Sequence, residues 1–507
     1  MSFNWHSLQN GSDIRGVASD GVPGERVNLS AEIVEKIAIA FVSWLSERKK
    51  CSPEILTISV GRDSRISGPD LMKAFINGVL HTGANAVNCG LASTPAMFMS
   101  TVFDKTNYYG SVMLTASHLP FNRNGLKFFT KDGGLDKQNI SSILEKAATG
   151  SALPSVTPGE ESSFDLIGEY SDFLVNTIRN EVNHPKHFNN PLLGFHIVVD
   201  AGNGSGGFFV DKVLQPLGAV TTGSQFLDPD GWFPNHVPNP EDDSAMQFIQ
   251  KAVLENHADF GIIFDTDVDR AAAVGHTGAI INRNRLIALI SCIILEEHPG
   301  TAIVTDSITS DGLTTFITRD LKGIHRRFKR GYKNVINEAI RLNREGSESW
   351  LAIETSGHAA LKENYFLDDG AYLMTKILIK AAKLRLRGES FHKLTDNLIM
   401  PVESKEFRIK IKTPDFKALG NKVINDLHAF VHQVDGWSIV PDNHEGIRVS
   451  CNSESGNGWF LLRLSLHDPV MPLNVESNQV GGVSLITSQL AGFLNVYSNL
   501  EVDFLIG

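Results

Sequence analysis

Cysteine is scarce in this chain. Its 507 residues hold four, Cys51, Cys89, Cys292 and Cys451. They stand far apart, without the close pairs that bind zinc or form a redox disulfide. The spacing speaks for reduced thiols in a reducing compartment. No apolar run approaches the roughly 18 residues of a membrane span. The start, Met1-Ser2-Phe3-Asn4-Trp5-His6, has neither a basic stretch nor an apolar core, so no secretory signal is read there. A cytoplasmic protein is expected, with an organellar stroma as the other setting. A basic excess is missing too. Net charge is −11, with both signs mixed along the chain, which argues against a nucleic-acid partner, since that calls for a basic face. Local arginines and lysines can still line a site for an anionic small molecule.

What remains is an ordinary globular composition, 42% hydrophobic and 20% charged. The length suggests about three or four domains of roughly 100–200 residues. A polar Ser12-Asp13-Ile14-Arg15-Gly16 loop precedes a helix expected near Ser30 to Lys49. A strand is expected over 54–60, then Gly61-Arg62-Asp63-Ser64-Arg65 and a helix from about Ser67, with Pro69 tolerated in its first turn. A further strand near Ala86–Cys89 leads into Gly90-Leu91-Ala92-Ser93-Thr94-Pro95. Residues 150–162, rich in Gly, Ser, Pro and Glu, close a first domain. Ala201-Gly202-Asn203-Gly204-Ser205-Gly206-Gly207 follows a strand, yet no Gly-Lys-Ser/Thr comes after it. It reads as a tight turn for close packing and not as a nucleotide loop.

Three stretches carry chemistry in their residue types. An apolar strand, Gly110 to Leu114, runs into Thr115-Ala116-Ser117-His118-Leu119-Pro120, with Asn124-Gly125-Leu126-Lys127 close behind. Ser117 therefore sits on a turn at a strand end, where open α/β sheets place their sites; the same residues would equally make a cap or turn. Phe260 to Phe264 then delivers Asp265, Asp267 and Asp269 at alternate positions. Three acids so close repel unless a cation sits among them, and oxygen-only ligands select a hard ion such as Mg²⁺. Trp350 to Ile353 presents Glu354-Thr355-Ser356-Gly357-His358. A carboxylate and a hydroxyl two residues apart can grip neighbouring hydroxyls of a sugar; a helix capped at Ser356 would use the same residues.

Taken with Gly458-Trp459-Phe460-Leu461-Leu462-Arg463-Leu464-Ser465-Leu466-His467-Asp468-Pro469, these stretches resemble, in family order, the loops of the α-D-phosphohexomutases. The resemblance spans nearly the whole chain. It implies an α/β protein: three similar α/β domains of mixed sheets flanked by helices, plus a C-terminal α+β domain, around a central cleft. The segments expected are 1–155, 163–272, 273–390 and 391–507. It implies reversible transfer of a phosphoryl group between C1 and C6 of a hexose phosphate through a phosphoserine at Ser117 and a 1,6-bisphosphate. Asp265, Asp267, Asp269 and the phosphorylated Ser117 would hold Mg²⁺. Lys127, His118 and Arg15 are open candidates for the base. Arg270, Lys329 of the Lys329-Arg330-Gly331-Tyr332 loop, Glu354, Ser356, His358, Arg463 and Ser465 would bind substrate. Arg62 to Arg65 would support the serine loop. A primer of the glucose 1,6-bisphosphate type, a hexose phosphate partner, no membrane and a monomeric or homodimeric state complete the expectation.

Three residues depart from the family pattern. Val268 replaces a glycine or alanine, and a left-handed backbone there would strain it. Leu466 and His467 alter the phosphate loop, where a protonated His467 would still favour phosphate. The C-terminal loop lacks the Arg-Pro-Ser-Gly-Thr of the glucosamine-type enzymes, which tilts the reading to glucose or mannose, with phosphoglucosamine mutase as the alternative. Two other classes stay open. Asp265-Thr266-Asp267 after an apolar strand also resembles the haloacid dehalogenase phosphatases, with Asp265 as nucleophile. The three departures would also suit a non-catalytic phosphosugar-binding protein.

Overall fold

The computed structural model describes residues 3–150, 157–465 and 468–506. Residues 151–156 of the expected first-domain boundary, and Leu466 and His467 of the phosphate loop, lie outside the described residues. The chain divides into two compact units, Met1–Leu286 with Ser356–Leu394, and Ile287–Thr355 with Thr395–Gly507.

The first unit carries two sheets. In the larger, Thr57–Arg62 lies parallel to both Asn85–Leu91 and Gly110–Leu114, and Gly110–Leu114 pairs antiparallel with Arg123–Thr130. All five residues of Gly110–Leu114 are buried, as expected of a central strand covered on both faces. Phe41, Phe75 and Phe128 form the aromatic heart of this core, with ring centroids 4.9 to 6.4 Å apart. The first long helix, Ala31–Lys49, starts as expected because the Ser30 side chain accepts the Ile33 N–H. The strand expected over 54–60 begins late. Pro53, which has no N–H and a fixed φ, makes a 3₁₀ turn over Pro53–Ile55, and the strand is Thr57–Arg62. The parallel strands end in the same direction, so Asp63–Ser67, Ala92–Thr94 and Thr115–Ser117 leave the sheet at one edge.

The second sheet orders Ile280–Ile281, Ala271–Gly275, Phe260–Phe264 and Ile197–Asp200. Phe260–Phe264 runs parallel to Ile197–Asp200 and pairs antiparallel with Ala271–Gly275 up to Phe264 opposite Ala271. The acidic stretch 265–270 is therefore the connection at the strand end. The glycine-rich loop packs against it: Ser205 N–H donates to the Thr266 carbonyl at 2.8 Å. A Cβ on Gly204 would meet that carbonyl oxygen at 2.6 Å. The turn-for-packing reading of this loop holds, and only glycine allows the approach.

The loop after Ile353 does not start a helix at Ser356. It feeds the strand Ala359–Leu361, which pairs with Leu367–Asp368. The helix comes later, at Gly370–Arg387, capped by Asp369, whose carboxylate accepts from Tyr372 N–H and the Tyr170 hydroxyl.

The second unit holds three parallel strands, in the order Ile324–Phe328, Ala302–Asp306 and Ser349–Ile353. It also holds a five-stranded antiparallel sheet ordered Glu403–Lys410, Val470–Ser477, Gly458–Leu462, Ile447–Cys451 and Trp437–Ile439. Two helices pack on that sheet, Phe416–Val431 and Gly482–Leu494. Among the described residues no helix is long and apolar enough to cross a membrane. The four cysteines are free, and burial pushes the Cys89 and Cys451 thiols up to about 12.

Candidate active site

Ser117 is reached through a sharp turn. Its φ is 49°, an uncommon region for a residue with a Cβ, and its N–H donates to Thr115 Oγ1 at 2.9 Å. Arg65 holds the turn from beneath. This wholly buried guanidinium donates to the carbonyls of Leu119 at 2.6 Å, Pro120 at 2.7 Å and Arg123 at 2.9 Å, and to that of Ser117. Its Nε lies 3.3 Å from Asp63 Oδ2. The Arg62 to Arg65 stretch is thus both a salt-bridged turn and the support of the serine loop. Arg15 joins from the first loop, donating to the Thr115 carbonyl at 2.6 Å and pairing with Asp13 at 2.9 Å.

The turn aims Ser117 Oγ at the acidic connection. Oγ lies 2.8 Å from Asp265 Oδ2, 3.1 Å from an Arg270 terminal nitrogen and 3.3 Å from His118 Nδ1. Arg270 also donates to His118 Nδ1 at 2.7 Å. Arginine offers only donors, so Nδ1 is bare and the proton of a neutral His118 sits on Nε2. Burial, with Arg270 and Arg15 nearby, holds this imidazole down at about 3.

The three aspartates converge: one oxygen from each lies within 4.8 Å of the others. Burial and the neighbouring Asp269 and Asp267 push the Asp265 carboxyl well above the ordinary range. Lys127 answers the charge. Its ammonium donates to Asp267 Oδ2 at 2.9 Å and to Asp269 Oδ2. Burial works against that charge, but Asp267 and Asp269 outweigh it and hold the lysine well above its usual value. Asp267 Oδ1 and Asp269 Oδ1 are buried and accept no hydrogen bond. Two orphaned acid oxygens, all-oxygen chemistry and a convergent third carboxylate fit a small hard cation.

Val268 takes a φ of 68° and is fully buried. The strain expected of a β-branched residue there is present, roughly 1–3 kcal/mol. Its carbonyl accepts the Gly370 N–H at 3.1 Å, so the start of helix Gly370–Arg387 clamps the acidic loop. His358 lies on the same side, backbone-paired with Arg270. Its Nδ1 is 2.5 Å from Asp368 Oδ2 and 3.9 Å from Asp269 Oδ1. Burial opposes its charge, yet Asp368 and Asp269 raise it to about 9. Ser356 is buried in this unit as well.

In the second unit Arg330 and Arg463 gather around two acids, Asp306 and Glu445. Glu354 accepts the Gly331 N–H at 2.6 Å. Asp306 lies 3.5 Å from Arg330 Nε and accepts the Thr355 hydroxyl at 2.7 Å. Glu445 accepts from Ser307 at 2.7 Å and from the Arg330 N–H at 3.0 Å, and stands 3.7 Å from Arg463 Nε. Ser465 accepts the Asp468 N–H at 3.2 Å. Lys329 is exposed, its ammonium 6.0 Å from the Phe328 ring centroid. Sequence reasoning passed over Asp306, Glu445 and Asp368. Only Asp368 carried a signal, through its place in Asp368-Asp369-Gly370.

Residues 6–153, 169–278 and 282–401 match, in order, the α/β/α domains I, II and III of phosphoglucomutase/phosphomannomutase. The chain belongs to the α-D-phosphohexomutase family. This phosphohexomutase is 27% identical over 453 residues to a phosphoglucomutase of Neisseria gonorrhoeae, covering 89% of this chain and 91% of the relative. It is 29% identical over 497 residues to the phosphomannomutase/phosphoglucomutase of Pseudomonas aeruginosa, covering 97% and 96%. The crystal structure of a phosphoglucomutase/phosphomannomutase family protein from Burkholderia thailandensis superposes with a TM-score of 0.79 at 25% identity, over 98% of this chain and 99% of that one. The convergence of the serine turn and the acidic loop thus lies within the first two matched domains of the phosphohexomutase.

Proposed function

We propose that this phosphohexomutase moves a phosphoryl group between the C1 and C6 oxygens of glucose or mannose phosphate, with Ser117 Oγ as the atom that lends the group and takes it back. The observation that carries this reading is the placement of Ser117 Oγ, 2.8 Å from Asp265 and 3.1 Å from Arg270, beside the orphaned oxygens of Asp267 and Asp269. The names of the relatives, phosphoglucomutase and phosphomannomutase, support the substrate class.

Phosphoryl transfer needs positioning and charge neutralisation above all. Asp265, Asp267 and Asp269, with the phosphorylated Ser117, would hold Mg²⁺, which supplies charge neutralisation at the transferring group. Arg270 orients that group through its contact with Oγ. Lys127 keeps the acids paired and in place. Ser117 Oγ takes a proton when it gives up the phosphoryl group and loses one when it regains it. The sugar hydroxyl that receives the phosphoryl group loses a proton in the same step, so the two changes balance; His118 Nδ1, 3.3 Å from Oγ, is the neighbouring acceptor that holds no cation. Arg15 steadies the turn. Glu354, Ser356 and His358 take the sugar hydroxyls, and Arg463, Ser465 and Lys329 take the phosphate that is not reacting. A 1,6-bisphosphate of the same sugar loads Ser117 at the start.

The test is the intact mass of the protein, with phosphosite mapping, before and after glucose 1,6-bisphosphate and Mg²⁺. One acid-stable phosphate on Ser117, discharged by sugar monophosphate and absent in Ser117→Ala, is the expected result. No phosphate on Ser117 with any priming sugar overturns the reading. A hydroxylamine-labile phosphate on Asp265 would replace it with phosphatase chemistry.

A further inference from the structure

The Ser93-Thr94-Pro95 junction has no part in the chemistry above, yet it touches the acidic loop twice. Thr94 is 3% exposed and opens the short helix Thr94–Met99, with the Ser93 side chain accepting the Ala96 N–H at 3.3 Å. Its N–H donates to the Asp267 carbonyl at 2.8 Å. Its hydroxyl donates to Asp267 Oδ2, the oxygen that also accepts from Lys127 at 2.9 Å. Two donors therefore converge on Oδ2, while Oδ1 of the same carboxylate is buried and accepts nothing. A carboxylate rotates about its last bond with a broad, twofold preference, so the choice of which oxygen faces the orphaned Asp269 Oδ1 needs an external constraint. Lys127 alone does not supply it, because it bridges Asp267 and Asp269 and would follow either carboxylate. Thr94 comes from a different strand end, just after Asn85–Leu91, and bonds Asp267 and not Asp269.

We infer that Thr94 is a positioning residue for cation binding: it pins the Asp267 carboxylate so that Oδ1, and not Oδ2, is offered to the metal. This assignment rests on the reading of the three aspartates as a divalent-cation site. Partners of this kind around metal ligands change affinity by about 10–100-fold when removed.

The test uses the full chain and Mn²⁺ as the probe, with free Mn²⁺ followed by its paramagnetic resonance signal and no substrate present. Thr94→Val keeps shape and volume and removes the hydroxyl; Thr94→Ser keeps the hydroxyl. Thr94→Val is expected to weaken Mn²⁺ binding about 10–100-fold, with Thr94→Ser within about threefold of the unaltered chain, and with the far-ultraviolet dichroism of all three alike. A purely structural role predicts equal effects of the two variants or none, and either result overturns the assignment. If the unaltered chain binds no Mn²⁺, or binds it equally well after Asp267→Asn, the cation reading itself fails, and the role of Thr94 with it.

Discussion

Changing Arg65 to lysine preserves a positive charge and removes the guanidinium fork, which separates the two things Arg65 does. Its four hydrogen bonds go to the carbonyls of Ser117, Leu119, Pro120 and Arg123, and its Nε faces Asp63. An ammonium has three N–H groups on one nitrogen. With one turned to Asp63, it can serve at most two of the carbonyls, so at least two lose the guanidinium hydrogen bond, although the Pro120 carbonyl keeps the Arg123 N–H at 3.0 Å. Each lost bond costs about 1–3 kcal/mol, so the turn loses roughly 2–6 kcal/mol, and water entering beside the shorter head group brings the expectation to about 3 kcal/mol. A chain with several domains does not unfold in one step, so a global melt is the wrong instrument. Amide hydrogen exchange over Thr115 to Arg123 reads the turn directly, and about 3 kcal/mol corresponds to roughly hundredfold faster exchange there. Phosphoryl loading of Ser117 should slow in parallel. Exchange within threefold of the unaltered chain over that segment would refute the idea that Arg65 holds the turn.

Two further outcomes follow from burial. Glu476 accepts the Trp459 indole N–H at 3.0 Å, and burial raises its carboxyl from an ordinary 4.5 to about 7, against the pull of Arg448. The folded state thus binds this proton more tightly than the unfolded chain does, so the group's contribution to stability falls as pH rises from about 4.5 to 7. Glu476→Gln should remove up to about 3 kcal/mol of that decline; amide exchange over the strand Val470–Ser477, referred to each amide's intrinsic rate at each pH, with parallel profiles for both proteins would count against it. Gly204→Ala should cost about 1–3 kcal/mol, since its Cβ would stand 2.6 Å from the Thr266 carbonyl oxygen; unchanged amide exchange over residues 201–207 would mean the loop can draw back.

Local features were the legible part of the fold. The Ser30 cap and the apolar strands Gly110–Leu114 and Phe260–Phe264 follow from residue type and period. The strain at Val268 was readable from one departure in an otherwise familiar loop. The C-terminal helix Gly482–Leu494 was legible by period as well: Val483, Ile486, Leu490 and Leu494 are buried at helical spacing, with Ser484, Ser488 and Gln489 between them. The candidate site was legible only as separate stretches. Ser117 and Asp265 are 148 residues apart and Lys127 and Asp267 are 140 apart, and no period or cap in the sequence encodes such pairings. They depend on which strand ends share an edge. Glu445 and Thr94 escaped for the same reason: each is an unremarkable residue until the element it reaches is known.

The left-handed turn at Ser117 restricts which hydroxyl side chain can stand there. Serine and threonine are often exchanged where only an oxygen is required. A threonine at φ 49° would add a β-branch in the one allowed region that such residues avoid. Val268 bears the same burden in this chain, but its side chain is wholly buried and burial offsets the strain. A methyl beside the Ser117 oxygen would face Asp265, Arg270 and His118, polar groups that return nothing for it. Backbone geometry therefore favours serine over threonine at this position, independently of any chemistry.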